Sequence, residues 1–129
     1  MSAPETADPT TECVLIVDDD GGIRGVLSEI LQDEGHRVES AVNGLEALRK
    51  LEGSTRPCLI LLDLMMPVMN GWEFMSRRNE MDGISTIPVV VISADVNVGV
   101  NASSLGAAGF LEKPIDLDRL LTTVDEYCS

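Results

Sequence analysis

Five short apolar runs alternate along the chain with longer segments in which apolar residues recur at helical spacing. The runs at 13–17, 58–63 and 88–92 are almost continuously apolar, which predicts strands that are covered on both faces. The run at 36–41 is more polar and is expected nearer an edge of the sheet. A fifth strand is expected at 108–111.

The segments between the runs predict helices with recognisable first residues. Asp20, Asn43, Asn70 and Asp116 each stand where a side-chain oxygen can accept a hydrogen bond from the first helical turn. Glutamates three residues after the two asparagines favour capping boxes. The first helix has its apolar residues at Ile23, Val26, Leu27, Ile30 and Leu31. The last helix is expected to face inward with Leu117, Leu120, Leu121, Val124 and Cys128.

Five strand–helix units in strict alternation predict an α/β fold, a doubly wound five-stranded parallel sheet with right-handed crossovers. The fourth helix, over 95–105, contains valine, asparagine and glycine and is expected to be short or loosely held. With 129 residues, the chain has room for one domain, at 13–129. The polar segment 1–12 is expected to be a disordered leader.

Composition narrows the classes of function. The net charge is −13 with only nine Lys and Arg, which argues against direct nucleic-acid binding. The chain contains neither an apolar run of membrane-spanning length nor a signal peptide, so a soluble cytoplasmic protein without membrane contact is expected. The three cysteines lack zinc-type spacing and are expected as free thiols in a reducing compartment.

Polar residues follow four of the predicted strands. Asp18 and Asp19 come after the first, Asp63 ends the third, Ser93 ends the fourth, and Lys113 closely follows the fifth. Because the ends of parallel strands share one edge of the sheet, these groups are expected to converge. Three close carboxylates stay ionised only beside a cation, and oxygen ligands suit Mg²⁺. We expect Asp63, at the tip of a central strand, to be the reactive group.

These residues stand within short motifs that occur in a fixed order. They are Val14-Leu15-Ile16-Val17-Asp18-Asp19-Asp20, Asp63-Leu64-Met65-Met66-Pro67, Asn70-Gly71, Ser93-Ala94 and Lys113-Pro114. Together they resemble the receiver domain of two-component response regulators over the whole chain after the leader. The resemblance implies a flavodoxin-like (βα)5 fold with strand order 2-1-3-4-5.

The resemblance also implies a phosphorylation site. Asp63 would accept a phosphoryl group from a phosphohistidine of a sensor histidine kinase or a histidine phosphotransfer protein. Asp18, Asp19, Asp63 and the backbone carbonyl of Met65 would hold Mg²⁺, with Mn²⁺ as the alternative ion. The domain would catalyse only its own phosphorylation and dephosphorylation, as part of a bacterial phosphorelay, and would not be a turnover enzyme.

Further residues of the family pattern concern the phosphoryl group and the response to it. Ser93 and Lys113 would contact phosphoryl oxygens, and the small Ala94 would leave the site open to a donor. Ser93 and Phe110 would move together as a switch. An unidentified downstream protein would bind the face formed by the fourth helix, the fifth strand and the last helix. The positions that would tune the loss of phosphate are Met65 and Asp95.

Three other functions compete with this interpretation. A degenerate receiver would bind partners without phosphorylation, although the full acidic, Ser and Lys set is present. A haloacid-dehalogenase-like phosphatase is suggested by the Asp-x-Asp spacing of Asp18 and Asp20, but Gly22 stands where that family has threonine. A flavodoxin-like electron carrier would place a flavin phosphate against three aspartates, which would repel it.

Overall fold

The structure, a computed structural model, describes residues 13–53, 55–64, 66, 68–94 and 106–128. The described residues form one sheet of five parallel strands in the order β2-β1-β3-β4-β5, with four helices. The predicted fold class and strand order are confirmed. The predicted leader 1–12 and the helix predicted over 95–105 lie outside the described residues. The strands are β1 Cys13–Val17, β2 Arg37–Ala41, β3 Leu59–Asp63, β4 Val89–Ser93 and β5 Gly109–Glu112, and the helices are α1 Gly21–Asp33, α2 Gly44–Glu52, α3 Gly71–Arg78 and α4 Leu117–Cys128.

The central strand β3 is buried on both faces and is held by two separate cores. Ile60 and Leu62 pack on the side of α2 and α3, whereas Leu59 and Leu61 pack on the side of α1 and α4. All five residues of β3 are buried, including its last residue, Asp63. A strand fixed on both faces gives the carboxylate at its tip a defined position. β2 alternates between exposed and more buried residues, as expected of an edge strand.

The helix caps explain why the chain turns where it does after each strand. At α3 the capping box is complete, with Asn70 accepting from the amide of Glu73 at 3.0 Å and the Glu73 carboxylate accepting from Asn70. At α2 the Asn43 side chain accepts from the amide of Glu46 at 2.9 Å. The Glu46 carboxylate, however, accepts from Val42, one residue before the cap. The expected box at α2 is therefore shifted by one residue.

Two residues predicted on apolar helix faces are exposed instead. Val26 of α1 and Leu117 of α4 have 60% and 48% of their surface exposed, and the inward prediction for Leu117 is wrong. Deeper in α4, Leu120 and Val124 are buried as predicted. Leu117 is the first residue of α4, directly after the Asp116 cap. At this end of the helix its side chain lines an open groove between α1 and α4.

The prediction of free thiols is wrong for two of the three cysteines. Cys58 and Cys128 form a disulfide, with an S–S distance of 1.98 Å and a Cα–Cα distance of 5.5 Å. Cys13 is buried and keeps its thiol. The two partners are 70 residues apart in sequence. They meet because helices in this fold run back antiparallel to the strands, so the end of α4 returns to the start of β3. Among the described residues, every helix is too short or too polar to cross a bilayer.

Candidate functional site

Three carboxylates meet at the carboxyl edge of the sheet. Asp18 and Asp19 follow β1, and Asp63 ends the neighbouring strand β3. One oxygen from each lies within 4.8 Å of the others. Asp18 and Asp63 are buried, with 2% and 6% of their surface exposed, whereas Asp19 is exposed. The arrangement concentrates negative charge in a site that is buried on the side of Asp18 and Asp63 and open to solvent on the side of Asp19.

The Asp18 carboxylate is held in one orientation by the loop that follows β1. Its Oδ1 accepts a hydrogen bond from the amide of Asp20 at 2.9 Å. Its Oδ2 is buried and accepts no hydrogen bond. Arg24, one turn into α1, donates from Nη1 to the backbone carbonyl of Asp18 at 2.7 Å and so fixes the loop. Sequence reasoning missed Arg24, although a basic residue one turn after an acidic run was a usable signal.

Lys113 supplies positive charge to this site. Its Nζ lies 3.6 Å from Oδ2 of Asp18 and 3.7 Å from Oδ2 of Asp63, beyond ordinary hydrogen-bond length but close enough for strong attraction. Its backbone amide donates to the carbonyl of Ser93 at 2.9 Å, which joins the Lys113 loop to the end of β4. The Lys113–Pro114 peptide bond is cis. One ammonium beside three carboxylates leaves a net negative charge.

The donor set fits a small hard cation. Three carboxylates within reach of one ion, one of them with a buried oxygen that accepts no hydrogen bond, match the oxygen ligands that Mg²⁺ and Mn²⁺ prefer. A bound cation would also offset the charge that Lys113 alone leaves uncompensated. The predicted fourth ligand, the carbonyl of Met65, lies outside the described residues, as does the predicted tuning residue Asp95.

The two predicted switch residues, Ser93 and Phe110, lie on β4 and β5. Ser93 ends β4 with 4% of its surface exposed, and the small Ala94 after it is exposed. Phe110 stands on β5 opposite Val91, and its half-buried ring packs against the core on the α2 and α3 side. In the same register Ser93 stands opposite Glu112, two residues beyond Phe110. Ser93 therefore lies at the same end of the sheet as the three carboxylates, whereas Phe110 lies two residues further into the sheet.

The Asp-x-Asp pair of the phosphatase alternative is not assembled as a reactive pair. The Asp20 side chain caps α1, accepting from the amides of Gly22 at 2.8 Å and Ile23 at 3.3 Å. Asp20 is absent from the group of acidic residues that could share an ion among the residues described. Its carboxylate therefore has a structural task, and the acid that joins Asp18 is Asp63.

An apolar groove opens next to the acidic site, between α1 and α4. It has a volume of about 590 Å³. Val26 and Leu117, two of the exposed large apolar residues, line it together with Asp20 and Lys113. Lys113 thus belongs to both the groove and the acidic site.

Comparison with known proteins gives a consistent result. A family model for the response regulator receiver domain matches residues 14–125. The sporulation initiation phosphotransferase F of Bacillus subtilis is 34% identical over 116 residues, which cover 90% of this chain and 93% of that protein. A CpxR homolog of Haemophilus influenzae, a transcriptional regulatory protein, is 40% identical over 114 residues, which cover 86% of this chain and 48% of that protein.

Solved structures agree with the sequence matches. The chemotaxis protein CheY4 of Vibrio cholerae superposes with a TM-score of 0.82 at 34% identity, covering 91% of this chain and 98% of that one. A response regulator from Chloroflexus aurantiacus superposes with a TM-score of 0.85 at 25% identity. The likeness extends over nearly the whole length of both of these chains.

Proposed function

Because the chain belongs to the family of response regulator receiver domains, we propose that it accepts a phosphoryl group on Asp63 and signals through the resulting change. The donor is a phosphohistidine of a sensor histidine kinase or a histidine phosphotransfer protein in the bacterial cytoplasm. One observation supports this above all others: the tip of the buried strand β3 bears a carboxylate, with two further carboxylates within 4.8 Å and Lys113 at 3.7 Å.

The transfer asks little covalent chemistry of the protein beyond an in-line nucleophile. A carboxylate oxygen of Asp63 attacks phosphorus, a P–O bond forms, and the P–N bond to the donor imidazole breaks with its electron pair left on nitrogen. The transition state is loose, so positioning and charge neutralisation dominate the rate. β3, fixed on both faces, provides the positioning, because its tip has little freedom to move.

Charge neutralisation is divided between Lys113 and a cation. Asp18, Asp19 and Asp63 would hold Mg²⁺ or Mn²⁺, which when bound offsets negative charge on the carboxylates and on the phosphoryl oxygens. Lys113 attracts a phosphoryl oxygen on the other side, where its Nζ already faces Asp63. Receiver domains are generally signalling modules rather than enzymes, and we infer that this one catalyses only its own phosphorylation and dephosphorylation.

The response to phosphorylation would begin at Ser93. Its hydroxyl would donate to a phosphoryl oxygen, and the loop would follow because the Ser93 carbonyl is bonded to the Lys113 amide. The added charge and acceptor oxygens make such a movement favourable. Phe110, half-buried on the adjacent strand, would change its packing with Ser93 and alter the face to which β5 and α4 belong. A downstream protein would read that face.

The groove between α1 and α4 would receive the protein donor. It is apolar, Val26 and Leu117 are exposed in it, and Lys113 connects it to Asp63. A helix that carries a phosphohistidine fits this combination of apolar contact and reach. In Val26→Glu, transfer from a phosphorylated histidine phosphotransfer domain should fall at least about tenfold, whereas phosphorylation by acetyl phosphate should be unchanged. An equal effect on both donors would contradict the docking role.

The deciding experiment is incubation with acetyl phosphate and Mg²⁺, followed by intact mass measurement. The wild type should gain the mass of one phosphoryl group, and Asp63→Asn should not. Asp20→Asn is the matched control, because it removes a neighbouring carboxylate that caps α1 and should leave labelling intact. Labelling of Asp63→Asn would refute the site. Absence of labelling in the wild type would favour a degenerate receiver that works without phosphate.

A further inference from the structure

The edge of the sheet opposite the acidic site holds the three cysteines. Cys58 immediately precedes β3, and its backbone amide donates to the carbonyl of Cys13, the first residue of β1, at 2.9 Å. Cys128 ends α4 and is bonded to Cys58. The Cα–Cα distance of 5.5 Å lies within the usual range for disulfides. The bond therefore joins the start of β3 to the end of α4 at a backbone separation that is usual for disulfides.

The cysteines differ in access and in acidity. Cys58 and Cys128 are half-buried and can be reached from solvent, whereas Cys13 has 2% of its surface exposed. Burial, followed by the nearby Glu39 charge, raises the pKa of the Cys13 thiol above its ordinary value. Because the thiolate is the reactive form, Cys13 is a poor nucleophile. Thiol chemistry at this edge should therefore be confined to Cys58 and Cys128.

The disulfide and the acidic site lie at opposite ends of the same pair of elements. β3 runs from the residue after Cys58 to Asp63, and α4 runs from just after the Lys113 loop to Cys128. At the carboxyl edge the pair is joined by the attraction between Lys113 and Asp63, at 3.7 Å. At the amino edge Val124 packs with Leu59 in the same core, and the disulfide adds a covalent link to that packing. The redox state of two thiols thus decides whether the end of α4 is covalently tied to the start of β3.

We propose that Cys58 and Cys128 are a redox-modification site, a dithiol that low-molecular-weight disulfides of the glutathione class oxidise and thiols reduce. This goes beyond the proposed phosphorylation of Asp63 and does not depend on it. In the cytoplasm, which is the proposed location, protein disulfides are uncommon and are usually transient, catalytic or redox-sensing. A bond with two accessible partners and no part in the acidic site fits the sensing class.

The Cys58–Cys128 bond forms in two thiol–disulfide exchange steps. One thiolate of the pair attacks a sulfur of the small disulfide, forming a mixed disulfide and releasing one thiol. The second thiolate attacks the protein sulfur of that mixed disulfide, forming the Cys58–Cys128 bond and releasing the other thiol. Both protein thiols are oxidised, the small disulfide is reduced to two thiols, and the two protons end on those thiols.

The main test compares the reduced and oxidised wild-type chain, which differ only in the state of the thiols. Protein reduced with dithiothreitol and desalted is treated with glutathione disulfide, denatured and alkylated with N-ethylmaleimide. We expect alkylation to fall from three sites to one, Cys13, and dithiothreitol to restore it. Because the bond closes a loop of 70 residues, the oxidised form should melt on the order of 10 °C higher. Amide exchange in the last turn of α4 should slow.

Several outcomes would overturn the proposal. Three alkylated sites after oxidation would show that the pair does not form under these conditions. Loss of two thiols in Cys128→Ser would show pairing of Cys58 with Cys13 instead. An unchanged melting temperature would show that the bond does not anchor α4. Asp63→Asn should show the same thiol chemistry as the wild type, which separates a failure here from a failure of the phosphorylation proposal.

Discussion

The carboxyl ends of the strands form one edge of the sheet and their amino ends form the other. The two edges differ in whether their polar and reactive groups are paired. The carboxyl edge gathers three carboxylates and one lysine, and one buried oxygen, Oδ2 of Asp18, accepts no hydrogen bond. The amino edge pairs its groups: Cys58 is bonded to Cys128, and His36 Nε2 lies 3.4 Å from Oδ1 of Asp125. Between the edges, every residue of β1 and β4 is buried. Charge is left uncompensated at one edge and cross-links are made at the other.

This difference separates the groups proposed to react from the groups that stabilise the fold. Close carboxylates repel each other, so the carboxyl edge costs stability in the absence of a cation and gains a site for one. A backbone outlier lies at the same edge, where Val68, in the loop after β3, has a φ of 67°. Such conformations cost free energy and persist only where the surrounding structure holds them. The cross-linked amino edge can stabilise the fold without restricting the reacting groups.

The largest expected effect comes from removing the exposed member of the acidic group. Asp19→Asn takes away one of three carboxylates but buries nothing new, so the fold should be retained. Loss of a proposed metal ligand should lower the rate of Mg²⁺-dependent phosphorylation by acetyl phosphate about a hundredfold, roughly 3 kcal/mol. Initial rates across a Mg²⁺ titration measure this, with metal binding followed by fluorescence of the single tryptophan, Trp72.

Asp33→Asn is the matched control for that experiment. Asp33 is also an exposed aspartate, but it ends α1 and does not belong to the acidic group. It changes the net charge by the same amount, so any general electrostatic effect on the anionic donor will appear in both variants. Equal rates in Asp19→Asn and Asp33→Asn would remove Asp19 from the site and weaken the contrast between the edges.

A second substitution tests whether the carboxyl edge also contributes to stability. Gly71 lies at that edge, at the start of α3, where it packs closely against Leu64. A Cβ built on Gly71 would lie 2.7 Å from Cα of Leu64, a backbone atom that cannot move without shifting Asp63. Gly71→Ala should therefore lower the free energy of unfolding by about 2 kcal/mol. Chemical denaturation measures it. Gly25→Ala, in α1 with nothing within 4 Å of the added methyl, should instead gain about 0.5 to 1 kcal/mol. A loss in both would point to a general intolerance of alanine.

The residues of the carboxyl edge can be predicted from the sequence better than the contacts of the amino edge. The reason is how far apart in the sequence the interacting residues lie. Asp18, Asp19, Asp63 and Ser93 could be predicted to converge, because each ends or closely follows a strand and parallel strands end together. The Cys58–Cys128 bond could not, since its partners are separated by 70 residues and only the return path of α4 brings them together. Nor could the exposure of Leu117, because helical periodicity does not show where a helix first meets the sheet.

A smaller effect is expected from relieving the strained residue at the carboxyl edge. Val68 is 74% exposed, so replacing it removes little apolar contact, and asparagine tolerates its positive φ better than a β-branched side chain does. Val68→Asn should raise the free energy of unfolding by about 0.5 to 1 kcal/mol. Thermal and chemical denaturation measure the gain. Val42→Asn is a suitable control, since Val42 is an exposed valine outside the positive-φ set and should show no gain.

The smallest expected effect tests whether the amino edge also contains a titrating group that weakens it. Burial raises the pKa of the Cys13 thiol above its ordinary value of 9.0. Below that value the thiol is protonated in both the folded and unfolded chains, and its contribution to stability is complete. As the pH rises further the unfolded chain loses the proton first, so the free energy of unfolding falls until the folded thiol also ionises.

Denaturation of the wild type and of Cys13→Ala, both with the disulfide intact, should therefore diverge in slope above pH 9.0. All other titrating groups are present in both proteins and cancel in the difference. Cys13→Ala should also show a constant loss from the missing sulfur, which does not vary with pH. Parallel curves of unfolding free energy against pH would mean that the thiol ionises as easily in the folded chain as in the unfolded chain. The amino edge would then be open to solvent at Cys13, and the selectivity argued for Cys58 and Cys128 would have to rest on geometry alone.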